Sequence, residues 1–189
     1  MKQTNKLTIS ALCLALGTVL MWVSKLIPAP WLQGGSVTLF SMVPIIGVGV
    51  MFGTKWGLCT SISYSVIQMM FGFYPPPTQT FMSFLLVVLL DYVIAFGVLG
   101  LSGLFYRIFK RHRFSIPLSG FIVTFMRYVC HILSGVLIWG VYAEEGQTVL
   151  MYSLIYNGTY MIPEILLTTA ALAFLSKMRI FTSDGDNHI

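Results

Sequence analysis

The sequence is poor in charged residues, and this shortage indicates its class. Asp, Glu, Lys and Arg make up 9% of the 189 residues, whereas 57% are hydrophobic and the mean hydropathy is +0.84. Soluble domains usually carry about 25% charged residues. We therefore expect an integral membrane protein with little mass outside the bilayer. The net charge of +5 does not indicate a nucleic-acid partner, because the positions of the basic residues are explained by membrane topology.

Cysteines and common catalytic motifs are also scarce. Cys13, Cys59 and Cys130 lie in separate apolar segments without a C-x-x-C pair, so we interpret them as packing thiols and expect no disulfide and no metal site. No P-loop, H-E-x-x-H or G-x-S-x-G motif occurs. Asp91 and Glu164 are the only acidic residues in apolar segments. We expect no enzyme and no cofactor in this chain, and an ATP-driven pump would need a separate ATPase.

Six apolar segments are near or above the ~20 residues that a helix needs to cross ~30 Å of hydrocarbon. The first is too long for a signal-peptide core and lacks an A-x-A cleavage site, so it counts as a helix. We predict an all-α polytopic membrane protein with a single six-helix transmembrane domain at 1–180 and a polar, disordered C-terminal tail at 181–189. The six predicted spans are 7–27, 36–53, 56–72, 80–105, 116–142 and 149–176.

The basic residues predict the orientation. With a cytoplasmic N-terminus, nine of the eleven Lys and Arg residues fall on the cytoplasmic side, Lys25 falls outside and Arg127 lies within a span. The positive-inside rule then places both termini in the cytoplasm. Glu144 and Glu145 would lie outside. We expect a multi-pass protein of a bacterial plasma membrane.

Polar residues interrupt the last two spans. In hydrocarbon an unsatisfied polar group costs several kcal/mol, so these side chains should face protein or a water-filled cavity. Four residues of the fifth span recur every four positions and share one helix face. We interpret the set as the lining of a site for a small polar ligand. The residues are Arg127, His131, Gly135 and Trp139 in the fifth span, and Tyr152, Asn157 and Glu164 in the sixth.

Depth estimates place Asp91, in the fourth span, at a height similar to those of His131 and Asn157. At ~1.5 Å per residue, Asp91 and His131 lie ~16 Å from the outer ends of their spans and Asn157 lies ~12 Å deep. This predicts a pocket open to the outside. A buried carboxylate either protonates or holds a cation, so Asp91 suggests a proton or an organic cation. Trp139 could then make a cation–π contact. Taken alone, however, a Trp here is more often an interface-belt residue, and a lone His131 is as typical of helix packing.

Arg127 and Glu164 lie deeper, each ~22 Å from the outer end of its span. They have opposite charges on adjacent antiparallel helices. Because an isolated charge at that depth is costly, we predict a structural ion pair beneath the pocket.

Two other features have alternative interpretations. Trp31, in the first outer loop, is either an interfacial anchor or part of a loop that covers the ligand. Ala11 and Ala15 are small residues four apart in the first span, which favours close approach by another helix. That helix could belong to this chain or to a partner protein.

Several motifs together resemble one family. They include Leu90-Asp-Tyr-Val-Ile-Ala-Phe-Gly97, Arg127-Tyr-Val-Cys-His-Ile-Leu-Ser-Gly135 with Trp139, and Tyr152-Ser-Leu-Ile-Tyr-Asn-Gly158. The sequence resembles the thiamine-specific substrate-binding subunit, or S component, of energy-coupling-factor vitamin transporters. The resemblance covers nearly the whole chain. It implies a high-affinity thiamine-binding subunit of an ATP-driven importer, with an outward-facing pocket built from helices 4–6 and loop 1.

The resemblance also implies roles for individual residues. Asp91 would neutralise the thiazolium cation, Trp139 would stack on a thiamine ring and Tyr92 would line the pocket. Gly135 would leave room for the ligand, and Trp31 would lie in the closing loop. The remaining ligand contacts, to the aminopyrimidine and hydroxyethyl ends, would come from His131, Tyr152 and Asn157.

The implied partners lie in and beside the membrane. Ala11 and Ala15 would contact a transmembrane coupling subunit, which is joined to two ATPase subunits that use the ATP. The alternative function is a stand-alone small transporter of another heteroaromatic vitamin or precursor, coupled to a cation or proton through Asp91 and His131. A structural assembly protein, which would show no ligand effect, is a third class.

Overall fold

A computed structural model describes residues 2–26, 35–110 and 112–177. Within these ranges the chain forms six long helical segments and no strand, which confirms the predicted all-α class. Four of them, α1, α4, α5 and α6, are long and apolar enough to cross a membrane. The segments are α1 (Gln3–Ser24), α2 (Met42–Phe52), α3 (Thr54–Gly72), α4 (Phe81–Ile108), α5 (Ser115–Leu137) and α6 (Val149–Leu175).

The second helix is shorter than the predicted span 36–53. α2 has 11 residues and rises only ~16 Å, about half of a ~30 Å hydrocarbon layer. Residues 35–38 are not helical, and Leu39 and Phe40 have positive φ angles of 34° and 70°. A right-handed helix cannot include such residues. The helix therefore begins at Met42, and residues 35–41 approach it along an irregular path.

The fifth span also ends earlier than predicted. α5 ends at Leu137 rather than at 142, and Trp139–Tyr142 forms a short 3₁₀ turn before α6. Trp139 therefore lies in this turn and not on α5. The predicted tail at 181–189 lies outside the described residues.

The two ends of the bundle differ in charge. The Lys6 ammonium lies 5.9 Å from the ring centre of Phe52, so the start of α1 meets the end of α2. The turn between α2 and α3, at Gly53, faces the Arg107 guanidinium of α4. At the opposite end Lys25 donates to the Phe71 carbonyl across 2.9 Å. The basic residues thus cluster at one end, which the positive-inside rule predicts to be cytoplasmic.

The centre of the bundle is α2. Met42, Ile45, Ile46 and Val48 have no exposed surface, because α1, α3, α4 and α5 surround them. α1, by contrast, leaves much of its surface uncovered, and both Ala11 and Ala15 are exposed. The small residues predicted there consequently face away from the rest of the described chain.

Glycines allow α3 and α4 to touch through their backbones. A Cβ on Gly100 would lie 2.4 Å from the Leu58 nitrogen, and one on Gly57 would lie 2.5 Å from the Gly100 carbonyl oxygen. Real Cβ atoms do not approach so closely, so both positions require glycine. This contact fixes the part of α4 that follows Asp91 against α3.

Candidate functional site

A cavity of about 140 Å³ lies at the end of the bundle that contains Lys25, between α3, α4, α5 and α6. Seven of the eight predicted ligand-binding residues line it, and the eighth, Trp31, lies outside the described residues. The structure thus brings together the groups that the depth estimates had placed at similar heights, and their role in binding stays a prediction. The seven residues are Asp91, Tyr92, His131, Gly135, Trp139, Tyr152 and Asn157.

Asp91 lies in a π-helical segment, Val88–Val93, within α4. Such wide turns inside α-helices are frequent at functional sites. The adjacent residues Asp91 and Tyr92 both line the cavity, although neighbouring positions of a regular α-helix point about 100° apart. Nothing in the apolar pattern of the span signals this local change.

Three donors converge on the Asp91 carboxylate. His131 Nδ1 lies 3.1 Å from Oδ1, while Ser134 Oγ and Trp139 Nε1 donate to Oδ2 across 2.6 and 3.2 Å. Accepting three hydrogen bonds matches the capacity of an ionised carboxylate, which has acceptors only. Asp91 therefore presents a fixed negative charge at the cavity wall, and it points toward protein rather than lipid.

Arg127 determines which nitrogen of His131 carries the proton. Arg127 Nε lies 3.3 Å from His131 Nε2, and a guanidinium can only donate. The Nε2 atom must then accept, so the proton of a neutral imidazole lies on Nδ1 and is donated to Asp91. Arg127 and Asp91 are thus linked through His131 without direct contact.

The predicted ion pair between Arg127 and Glu164 is not formed by direct contact, although the two charges lie close enough to attract each other. Both residues are among those that the structure describes, and they form no ion pair with each other. Glu164 instead accepts hydrogen bonds from Thr38, from its backbone nitrogen across 2.6 Å and from its hydroxyl across 2.9 Å. The physical reason is the irregular path of residues 35–41, which leaves the Thr38 N–H without a helical partner and free to donate to the carboxylate.

Arg127 has other neighbours than the predicted carboxylate. Its Nη1 lies 2.7 Å from the Met42 sulfur, and its guanidinium carbon lies 4.1 Å above the Phe96 ring. Cation–π contact of this kind stabilises a buried cation. Arg127 lines the cavity rather than lying beneath it.

Tyr92 holds a loop in addition to lining the cavity. Its hydroxyl donates to the Gly72 carbonyl and accepts from the Tyr74 nitrogen, both across 2.9 Å. Tyr74 in turn packs on Trp139 with ring centres 5.4 Å apart. Tyr92 therefore positions the aromatic wall, to which Tyr74 also belongs.

Asn157 and Gly135 hold α5 and α6 together. Asn157 donates to the His131 carbonyl across 3.2 Å and accepts from the Tyr160 hydroxyl. A Cβ on Gly135 would lie 2.0 Å from Ser153 Oγ. The close approach of α6 thus requires a glycine here. Gly135 also lines the cavity, and its role in leaving room for the ligand stays a prediction.

Three tyrosines on α6 line the cavity, and only Tyr152 was predicted from the sequence. Tyr152, Tyr156 and Tyr160 all line the cavity, and their spacing of four residues is the signal that could have found the second and third. The Tyr152 hydroxyl is buried and has no hydrogen-bond partner within the described ranges. Other lining residues without a clear sequence signal are Gly35, Ser36, Thr38, Gln68, Gly72 and Phe96.

Comparison with known proteins identifies the family. The family described as thiamine transporter protein matches residues 7–182. The chain belongs to this family. It is 33% identical over 165 residues to the thiamine transporter ThiT of Bacillus subtilis (strain 168), which covers 80% of this chain and 81% of that protein. This confirms the resemblance found in the sequence.

Two further members of the thiamine transporter family are similar. ThiT of Lacticaseibacillus paracasei is 36% identical over 107 residues, covering 47% of this chain and 53% of that protein. The solved structure of ThiT from Listeria monocytogenes has a TM-score of 0.72 at 19% identity and covers 96% of this chain and 99% of that chain, so it shares the fold. The family consists of membrane transporters and not of enzymes, as the sequence predicted.

Proposed function

We propose that this chain binds thiamine in the cavity and serves as the substrate-binding subunit of an ATP-driven importer of the energy-coupling-factor type. The observation that supports it most directly is the Asp91 carboxylate, which lies at the wall of a cavity lined by aromatic rings. Membership of the thiamine transporter family adds the identity of the ligand.

The chemistry of thiamine fits the carboxylate and the aromatic rings that line the cavity. Its thiazolium ring carries a permanent positive charge, which Asp91 would neutralise. Trp139, held against Tyr74 at 5.4 Å, offers an aromatic face for cation–π or stacking contact. Tyr152 contributes the hydroxyl that has no partner in the described chain, which can donate to or accept from the polar groups of the vitamin.

The charge balance of the site also fits a cationic ligand. Asp91 is linked to Arg127 only through the neutral imidazole of His131, and its carboxylate lines the cavity. A cation that enters can therefore approach the carboxylate without breaking a direct ion pair with arginine. The cost of binding is the rearrangement of hydrogen bonds from Ser134 and Trp139.

The energy source would lie in other subunits. The exposed Ala11 and Ala15 on α1 offer a surface of small residues for a transmembrane coupling subunit. Two ATPase subunits on that partner would use the ATP, and this chain would need no cofactor of its own.

Quenching of tryptophan fluorescence by thiamine in detergent tests the proposal. We expect saturable quenching by thiamine and much weaker binding of its separate pyrimidine and thiazole halves, because Asp91 and the tyrosines come from different helices, α4 and α6. Trp139→Phe should remove most of the signal. Trp56→Phe, at the far end of α3, is the matched control and should retain it. Absence of saturable quenching in the unmodified protein would contradict thiamine binding.

Uptake into liposomes separates the two transport hypotheses. The purified chain alone should show no concentrative uptake of thiamine, since the proposal places energy coupling in partner subunits. Accumulation driven by a proton or cation gradient would instead support a stand-alone transporter that uses Asp91 and His131.

A further inference from the structure

Glu164 is a buried carboxylate that the proposed binding chemistry does not use. Glu164 is 1% exposed, and it does not line the cavity. Among the described residues it has no Lys or Arg within ion-pair distance, and Arg127 attracts it from further away. Burial of a carboxylate is costly unless hydrogen bonds compensate it, so the two bonds from Thr38 indicate what this side chain does.

Thr38 is held on three sides. Its backbone nitrogen and its hydroxyl both donate to Glu164, and the hydroxyl accepts from Ser41 Oγ across 2.7 Å. A hydroxyl has one proton and can donate once, so these bonds define its orientation. Thr38 is therefore fixed to α6, although it is 126 residues away in sequence.

The backbone next to Thr38 is strained. Leu39 and Phe40 have φ angles of 34° and 70°, in a left-handed region that costs non-glycine residues roughly 1–3 kcal/mol each. Such a conformation persists where surrounding contacts enforce it. Glu164 supplies such contacts on the N-terminal side of the strained pair, and on the C-terminal side Met42 contacts Arg127.

The same segment forms one wall of the cavity. Gly35, Ser36 and Thr38 all line it. Gly35, with a φ of 94°, lies so close to the Tyr160 ring that an added Cβ would be 2.6 Å from it. The location of this wall thus depends on how residues 35–41 are anchored, and Glu164 is an anchor that lies outside the cavity.

We propose that Glu164 is a positioning residue for the binding site. Through Thr38 it holds residues 35–41 in their strained course against the cavity and so slows release of the ligand. The proposal rests on thiamine binding as proposed above, but the anchoring step is a property of the ligand-free chain and can be tested separately.

Ligand release is the first measurement. Glu164→Leu removes both acceptors and leaves the buried Thr38 N–H unpaired, so we expect thiamine to dissociate about 10- to 100-fold faster. Association should change much less, because the Asp91 charge is intact. Glu164→Gln retains an acceptor for the N–H and should restore a rate within a few-fold of the unmodified protein. Thr38→Val removes the hydroxyl bonds to Glu164 and Ser41 but keeps the backbone bond to Glu164, and it should give an intermediate rate.

A matched control lies one turn further along α6. Thr168 is fully buried, and its hydroxyl has no hydrogen-bond partner in the described part of the chain. It does not line the cavity. Thr168→Val should leave the dissociation rate unchanged, so an equal effect of Thr168→Val and Thr38→Val would overturn the proposal.

Amide hydrogen exchange of residues 35–41 provides a second measurement that needs no ligand. The Thr38 amide should exchange faster in Glu164→Leu and remain protected in Glu164→Gln. If Glu164→Leu does not fold, Thr38→Val and Glu164→Gln test the same contact. A protein that does not bind thiamine but shows the exchange effect would contradict the proposed function and leave the anchor supported. If folded Thr38→Val binds thiamine, releases it at the wild-type rate and shows wild-type amide exchange at residues 35–41, the anchoring role of Glu164 is overturned. The proposed function would stand in that case.

Discussion

Arg127 Nε and His131 Nε2 lie 3.3 Å apart, one turn from each other on α5. Because arginine can only donate, this contact directs the imidazole proton toward Asp91, 3.1 Å from the other ring nitrogen. Arg127 thereby orients the hydrogen bond to Asp91 without pairing with it. A direct ion pair would occupy the carboxylate, whereas a neutral imidazole leaves its charge available to a ligand.

Removing the Asp91 charge should weaken thiamine binding. Asp91→Asn keeps the size of the side chain but leaves the thiazolium without its charged partner, for an expected loss of about 2–5 kcal/mol. Fluorescence titration with thiamine measures this. Glu145→Gln, in the exposed turn between α5 and α6, removes an equal charge away from the cavity and should not change affinity. Equal affinity of Asp91→Asn and the unmodified protein would refute the charge argument.

Removing the Tyr92 hydroxyl should loosen the loop after α3. Tyr92→Phe deprives the Gly72 carbonyl and the Tyr74 N–H of a partner, and we expect a loss of about 1–3 kcal/mol in the free energy of unfolding. Thiamine binding should weaken as well, because Tyr74 supports Trp139.

The matched change for Tyr92 is Tyr128→Phe. The Tyr128 hydroxyl donates to the Leu154 carbonyl across 2.9 Å at an exposed position, and Tyr128 does not line the cavity. Thermal unfolding and titration should show a smaller loss of stability and unaltered affinity. If Tyr92→Phe behaves like Tyr128→Phe in both measurements, the loop does not depend on Tyr92.

Two glycines three residues apart on α4 should respond oppositely to alanine. Gly100→Ala would place a Cβ 2.4 Å from the Leu58 nitrogen and should destabilise the protein by about 1–3 kcal/mol or more. A Cβ on Gly97 would meet no atom within 4 Å, so Gly97→Ala should be neutral or stabilise by about 0.5–1 kcal/mol. Thermal unfolding in detergent compares them, and similar midpoints would show that the α3–α4 backbone contact is unimportant.

Much of the fold and of the site could be predicted from sequence because the relevant rules are local. Long apolar runs predict membrane helices, and the spacing of four residues places Arg127, His131 and Gly135 on one face of α5. The rise per residue placed Asp91 and Asn157 at similar depths. These inferences need only helical geometry and the exclusion of polar groups from lipid.

Hydrogen-bond partners could not be predicted in the same way. Arg127 and Glu164 have matching depths and opposite charges, yet Glu164 binds Thr38 and Arg127 binds His131. The π-helical segment around Asp91 and the left-handed residues before α2 have no signature in the apolar pattern. Both change which groups can meet.

The sequence by itself determined that the chain is a helical membrane protein, which residues avoid lipid, and that a carboxylate lies among aromatic residues. Only the tertiary structure decided that residues 35–41 leave the helix, join Glu164 and form a wall of the cavity. The physical reason is that burial and the helical repeat follow from the order of residues within each helix, which the sequence gives directly. The choice among several buried polar partners depends instead on small differences in the distances between segments that are far apart in the chain.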